Sequence, residues 1–169
     1  MNRLKGKTVI VVGAGSIGPG WGNGKATAVT FAREGAQVFC VDRHGAAAEE
    51  TVNIIKSEGG KAAAFTADVS RASDVEAMVA ACMKANGRID VLDNNVGIAE
   101  MGSVVEVSEA EWDRVMAVNL KSAFLAMLTD ARYAASSVFF MRRALAWLPA
   151  RCRCVHENSR SVPRRPRWR

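Results

Sequence analysis

At 169 residues, with 49% apolar and 24% charged positions, the chain suits one globular domain able to bury a real core. No apolar run approaches the ~20 residues of a bilayer span, and four cysteines are too few for a disulfide scaffold. The net charge of +6 is unevenly placed: residues 1–130 hold 13 Lys and Arg against 16 Asp and Glu, whereas residues 131–169 hold 10 Arg, no Lys and one Glu.

The N-terminus runs from basic residues into TVIVV (8–12). That run is too short for a signal peptide and leads into glycines rather than a cleavage site, so a cytoplasmic location is expected. TVIVV is continuous, apolar and β-branched, as a strand buried on both faces should be. A helix is predicted over 24–34, with Ala28, Phe31 and Ala32 on one face and Gly35 as its stop. QVFCV (37–41) reads as a second strand, and a helix through 46–58 ends at Gly59-Gly60. KAAAFTA (61–67) is a third strand, followed by a helix over 71–86 that turns Val75, Met78, Val79 and Cys82 inward. IDVL (89–92) is a fourth strand, and a long helix covers 108–128, opened by Ser108 and Glu111 in a capping-box pattern. Cys40 and Cys82 lie among apolar neighbours and read as buried small hydrophobes. This alternation defines an α/β fold, a Rossmann-like doubly wound parallel sheet that ends after about four strands.

Residues 13–26, GAGSIGPGWGNGKA, place six glycines between the first strand and the first helix. Glycine lets the backbone turn sharply and lets a pyrophosphate come close, while the helix N-terminus supplies free N–H groups and a positive dipole. The second strand ends in Asp42, whose carboxylate can accept hydrogen bonds from an adenosine ribose. That favours NAD over NADP, although Arg43 beside it keeps the 2′-phosphorylated cofactor open.

The glycine loop, Asp42, ADVS (67–70) and DNNVG (93–97) together resemble the short-chain dehydrogenase/reductase family. That family carries a Gly-rich loop after its first strand, an Asp-Val pair after its third and Asn-Asn-Ala-Gly after its fourth. WDRVMAVNLKSAF (112–124) looks like its next landmark, and the resemblance runs from about residue 4 to about residue 128. It implies an NAD(P)-dependent oxidoreductase acting on an alcohol or carbonyl substrate. Gly13, Gly15, Ser16, Gly22, Asn23 and Gly24 are implied at the pyrophosphate, Asp42 and Arg43 at the ribose, Asp68 and Val69 beside the adenine, and Asn94 and Gly97 along the nucleotide. Asn119 falls on the Asn that supports the family's proton relay.

Three departures stand out. The family's usual loop is Thr-Gly-x-x-x-Gly-x-Gly, whereas Val12 replaces the Thr and IGPGW (17–21) looks inserted. Trp21 either stacks on the cofactor or covers the loop, and cover is the expectation. Asp93 stands where the family has an apolar strand residue; it is either buried at a cost or placed at the strand's wet end.

The family's acid/base machinery is a Ser followed by Tyr-x-x-x-Lys, and these 169 residues lack it. Tyr133 is the one tyrosine, Ser137 stands four positions later, and no Lys follows Lys121. The catalytic role is therefore not transferred to Tyr133, and Ser136 and Ser137 read as incidental. The expectation is an inactive form whose tail is unrelated to the family or frame-shifted. Residues 1–130 would be an incomplete dinucleotide-binding domain, and 131–169 a basic tail, partly helical over 138–147 or disordered.

The alternative is a non-catalytic binding protein. The arginine-rich tail, with Trp147 and Trp168, suits nucleic acid or an acidic surface electrostatically, but no recognition motif accompanies the charge. Cys152, Cys154 and His156 lack a fourth ligand at zinc spacing, so no metal is expected. The fourth strand should be left as an exposed edge, and the family's helix-bundle oligomer interface should be incomplete, giving poor solubility.

Overall fold

A computed structural model describes residues 2–99, 105–133 and 137–140. In chain order the elements are β1 (Thr8–Val12), α1 (Asn23–Arg33), β2 (Gln37–Asp42), α2 (Gly45–Ser57), β3 (Lys61–Thr66) and α3 (Ala72–Asn86). There follow β4 (Val91–Asn94), α4 (Glu109–Met116), a π-helical turn (Ala117–Lys121), α5 (Ser122–Tyr133) and β5 (Ser137–Phe140). The strands form one parallel sheet in the order β3-β2-β1-β4-β5.

Side chains alternate across the pleat, so each strand feeds two cores. Val9, Val11, Val38 and Cys40 meet Ala28, Val29 and Ala32 of α1 and Ala48, Val52 and Ile55 of α2. Ile10, Val12, Phe39, Val41 and Leu92 meet Val75, Met78, Val79 and Cys82 of α3 and Leu125 and Ala126 of α5. This two-sided covering is why Val9–Val12 are uniformly apolar and β1 is wholly buried. Cys40 and Cys82 are both free and buried in these cores, as expected. Burial pushes the Cys40 thiol up to about 12 and the Cys82 thiol up to about 11.

The expected helices and strands form with small shifts, and three differences carry physical content. β4 begins at Val91 and runs through Asp93 and Asn94, two residues beyond the apolar run that announced it. Backbone pairing with β1, Val11 opposite Asp93 and Val12 opposite Asn94, outweighs the polar character of those residues. The helix expected over 108–128 starts at Ser108 with a complete capping box, then widens into the π turn before continuing. Finally, β5 pairs in parallel with β4 from Val91–Ser137 to Asn94–Phe140.

This fifth strand corrects the expectation of an exposed β4 edge and of helical structure at 138–140. It also gives Ser137 a strand context. An apolar edge with unpaired backbone groups is a poor place to stop, and Val-Phe-Phe is a β-favouring run able to close it. The rest of the tail, with Cys152, Cys154 and His156, lies outside the described residues. Among the described residues, no helix is long and apolar enough to cross a membrane.

Candidate functional site

The sheet order reverses at β1: the chain passes from β1 to β2 on one side, while β4 lies on the other. In open parallel sheets the crevice at such a switch point, beyond the carboxyl ends of the strands, is where ligands bind. The loops after β1, β2, β3 and β4 all leave from that edge. It therefore gathers the glycine loop, Asp42, Asp68 and the Asn94–Gly97 segment.

The glycine loop is built from close backbone approaches. Gly13 has φ +75°, a left-handed conformation that lets its N–H donate to Val41 O at 2.8 Å. A Cβ at Gly13 would lie 3.3 Å from the Asn95 backbone and from Val96 Cγ2, so the loop closes directly on the segment after β4. Gly24, in the first turn of α1, sits so near Gly13 that an added Cβ would fall 1.8 Å from its carbonyl oxygen. A Cβ at Gly22 would come within 3.1 Å of Gly15 O and 3.4 Å of Ser16. The helix thus enters with its N-terminus against the loop. It has no side-chain cap and no acidic residue in its first turn, which leaves amides and dipole available to an anion. Ser16 is half-buried and Asn23 is exposed at this end. Thr51 of α2 donates its hydroxyl to Ala14 O at 2.8 Å and fixes the loop from below.

Asp42 joins the loop to the second strand. One carboxylate oxygen accepts from Gly15 N at 3.0 Å and the other from His44 N at 2.9 Å. A Cβ at Gly15 would clash with Asp42 Oδ2 at 2.8 Å and with Ala47 Cβ at 2.6 Å. Arg43 is exposed and its Nε donates to His44 Nε2 at 3.0 Å.

At the end of β3, the Asp68 carboxylate accepts from the Ser70 hydroxyl at 2.7 Å and from Ser70 N at 3.1 Å. Those bonds, the Ser70 hydroxyl first, with Arg71 and Arg43 nearby, hold its pKa below the usual carboxylate value against the opposing pull of desolvation. Val69 is 6% exposed and belongs to the core under α3.

Beyond β1, Asn94 is buried, with Nδ2 donating to Ser122 Oγ at 3.4 Å and Oδ1 without a partner among the described residues. Gly97 is half-buried in the following segment. That segment is tied to the π turn by Asn119, whose Oδ1 accepts from Ile98 N and whose Nδ2 donates to Ile98 O, both at 2.8 Å. Asp93 resolves to the buried alternative at 5% exposure. Burial pushes its carboxyl up, opposed by the Asn95 amide at 3.4 Å.

Two outcomes were not anticipated. Trp21 is 59% exposed, so it does not pack over the loop as expected. Lys25, which had not been singled out, is 1% exposed beneath the loop. Its spacing to Ala28, Val29 and Ala32 puts it on the buried stripe of α1, and that was the signal available in the sequence.

A family model for short chain dehydrogenase matches residues 7–137. The chain belongs to the short-chain dehydrogenase family, whose members bind a nicotinamide dinucleotide. It is 45% identical over 122 residues to an uncharacterized oxidoreductase of Thermotoga maritima, covering 72% of this chain and 46% of that one. It is 38% identical over 125 residues to 2-(S)-hydroxypropyl-CoM dehydrogenase 3 of Xanthobacter autotrophicus, covering 74% and 47%. A solved short chain dehydrogenase from Mycobacterium smegmatis superposes with a TM-score of 0.73 at 36% identity, covering 79% of this chain and 53% of that structure. The chain spans about half the length of the curated relatives it matches.

Proposed function

We propose that residues 1–130, with β5 (Ser137–Phe140) completing the sheet, form the NAD(P)-binding domain of an oxidoreductase acting on an alcohol or carbonyl, and that the arginine-rich remainder is a basic tail. The observation that carries this reading is the Gly24–Gly13 approach, which sets an uncapped helix N-terminus over a glycine loop at the β1/β4 crevice. Gly13, Gly15, Ser16, Gly22, Asn23 and Gly24 would hold the diphosphate. Asp42 would accept from the adenosine ribose hydroxyls, and Asp68, Val69, Asn94 and Gly97 would border the rest of the nucleotide. The bound nicotinamide would supply the hydride acceptor or donor.

NAD is favoured over NADP because a 2′-phosphate at Asp42 would meet a carboxylate already fixed by Gly15 and His44 amides. Exposed Arg43 is the feature in favour of NADP. Asn119 occupies the relay position of the family, and its side chain holds the Ile98 backbone; it is a positioning residue. These 169 residues hold no Tyr-x-x-x-Lys, the pair with which the family gives and takes the substrate proton, so binding without turnover is expected.

Titrating the protein with NADH and NADPH by fluorescence, then assaying hydride transfer, tests the reading. NADH should bind more tightly than NADPH, with no turnover. Salt-sensitive nucleic-acid binding with no dinucleotide binding would instead support a non-catalytic, basic-tail binding protein.

A further inference from the structure

The inserted part of the glycine loop has almost nothing to fix it. Ile17 is 99% exposed and Trp21 59% exposed, and a Cβ at Gly18 or Gly20 would meet nothing within 4 Å. Among the described residues, one hydrogen bond reaches residues 17–21: Lys25 Nζ donates to Gly20 O at 3.2 Å. The same ammonium donates to Glu50 Oε1 of α2 at 2.8 Å. The Lys25 side chain is 2% exposed and that of Glu50 62% exposed, so a buried cation is paired with a carboxylate at the surface. A lysine ammonium is held out of water only where charge and hydrogen bonds compensate it. Here the compensation comes from one carboxylate and one loop carbonyl.

We propose that Lys25 is a positioning residue for the dinucleotide site: anchored by Glu50, its ammonium clamps the Gly20 carbonyl and sets the loop whose amides receive a diphosphate. The diphosphate half of this statement rests on the reading under Proposed function. The clamp itself rests only on the loop geometry. The inserted residues lengthen a turn that the family normally closes with fewer, and a longer exposed turn samples more conformers unless something tethers it. Lys25 leaves α1 from its buried stripe and reaches the turn at the Gly20 carbonyl.

The test uses the full chain and the variants Lys25→Met and Glu50→Gln. In limited proteolysis without ligand, Lys25→Met should speed chymotrypsin cleavage after Trp21 about tenfold, while Phe39 in β2 stays protected. In titrations, Lys25→Met should weaken NADH about tenfold but leave adenosine binding unchanged, because adenosine lacks the diphosphate. Glu50→Gln separates clamping from simple charge. It leaves the cation in place, so it should weaken NADH if orientation matters and tighten it if only net positive charge matters. It also carries the test should Lys25→Met fail to fold.

Unchanged cleavage after Trp21, or equal loss of NADH and adenosine, would overturn the proposal, as would tighter NADH binding by Glu50→Gln. If the unsubstituted chain binds no NADH, the dinucleotide reading fails instead, and the cleavage comparison alone decides the clamp.

Discussion

Gly24 is the residue at which the site tolerates least change. A methyl group there would overlap the Gly13 carbonyl at 1.8 Å, and neither the strand end nor the helix can move without opening the crevice. Gly24→Ala should destabilise the fold by roughly 1–3 kcal/mol and abolish NADH binding, as urea denaturation and fluorescence titration would show. Asp93 is the opposite case, a residue the fold carries at a cost. Burial raises its pKa in the folded state, so between the unfolded carboxylate value of about 3.9 and the raised native value the native state binds more protons. Its contribution to stability is therefore greatest below that window and is lost as pH rises through the native pKa. Asp93→Val should raise stability near neutral pH by on the order of 1–3 kcal/mol and remove the decline that sets in above the unfolded carboxylate value in urea titrations.

Among the elements, the π turn shows what a helix can do by widening. It lies where Asn119 takes both the N–H and the C=O of Ile98, fastening the segment after β4 to the α4–α5 layer. Asn119→Ala should leave two backbone groups without partners, lower stability by about 1–3 kcal/mol and weaken NADH binding several-fold. That turn was not legible in the sequence, because one wider turn barely disturbs a 3.6-residue pattern. The placement of the glycine loop and Asp42 at the crevice was legible, since it depends on backbone freedom and on spacing from the strands. β5 was misread because Val138–Phe140 runs into a stretch of helical spacing, and only the open edge of β4 reveals the competing choice. Lys25 was passed over for a related reason. Its partners Gly20 and Glu50 lie on a loop and a second helix, and only tertiary placement brings them together.

For the molecule as a whole, the sheet is covered but one helical face is not. Leu120, Phe124 and Met127 are 57%, 56% and 43% exposed, and with Met116 and Ala123 they line a groove between Asp113 and Lys121. Exposed apolar stripes of this kind favour association. Poor solubility was expected from a bare β4 edge; β5 closes that edge, and this face supplies the apolar surface instead. The double substitution Leu120→Glu with Phe124→Glu should reduce concentration-dependent light scattering while leaving the circular dichroism spectrum intact.

The two buried thiols give the molecule a pair of internal clocks, one on each side of the sheet. Cys40 points into the layer under the glycine loop and Cys82 into the layer under α5. Both thiols are buried, so a thiol reagent can reach either only when its own layer opens. Cys40 lies in a strand flanked by β1 and β3, whereas Cys82 rides on a helix near its C-terminal end. Peptide-resolved mass spectrometry should therefore find Cys82 modified before Cys40, timing the opening of each half of the fold separately.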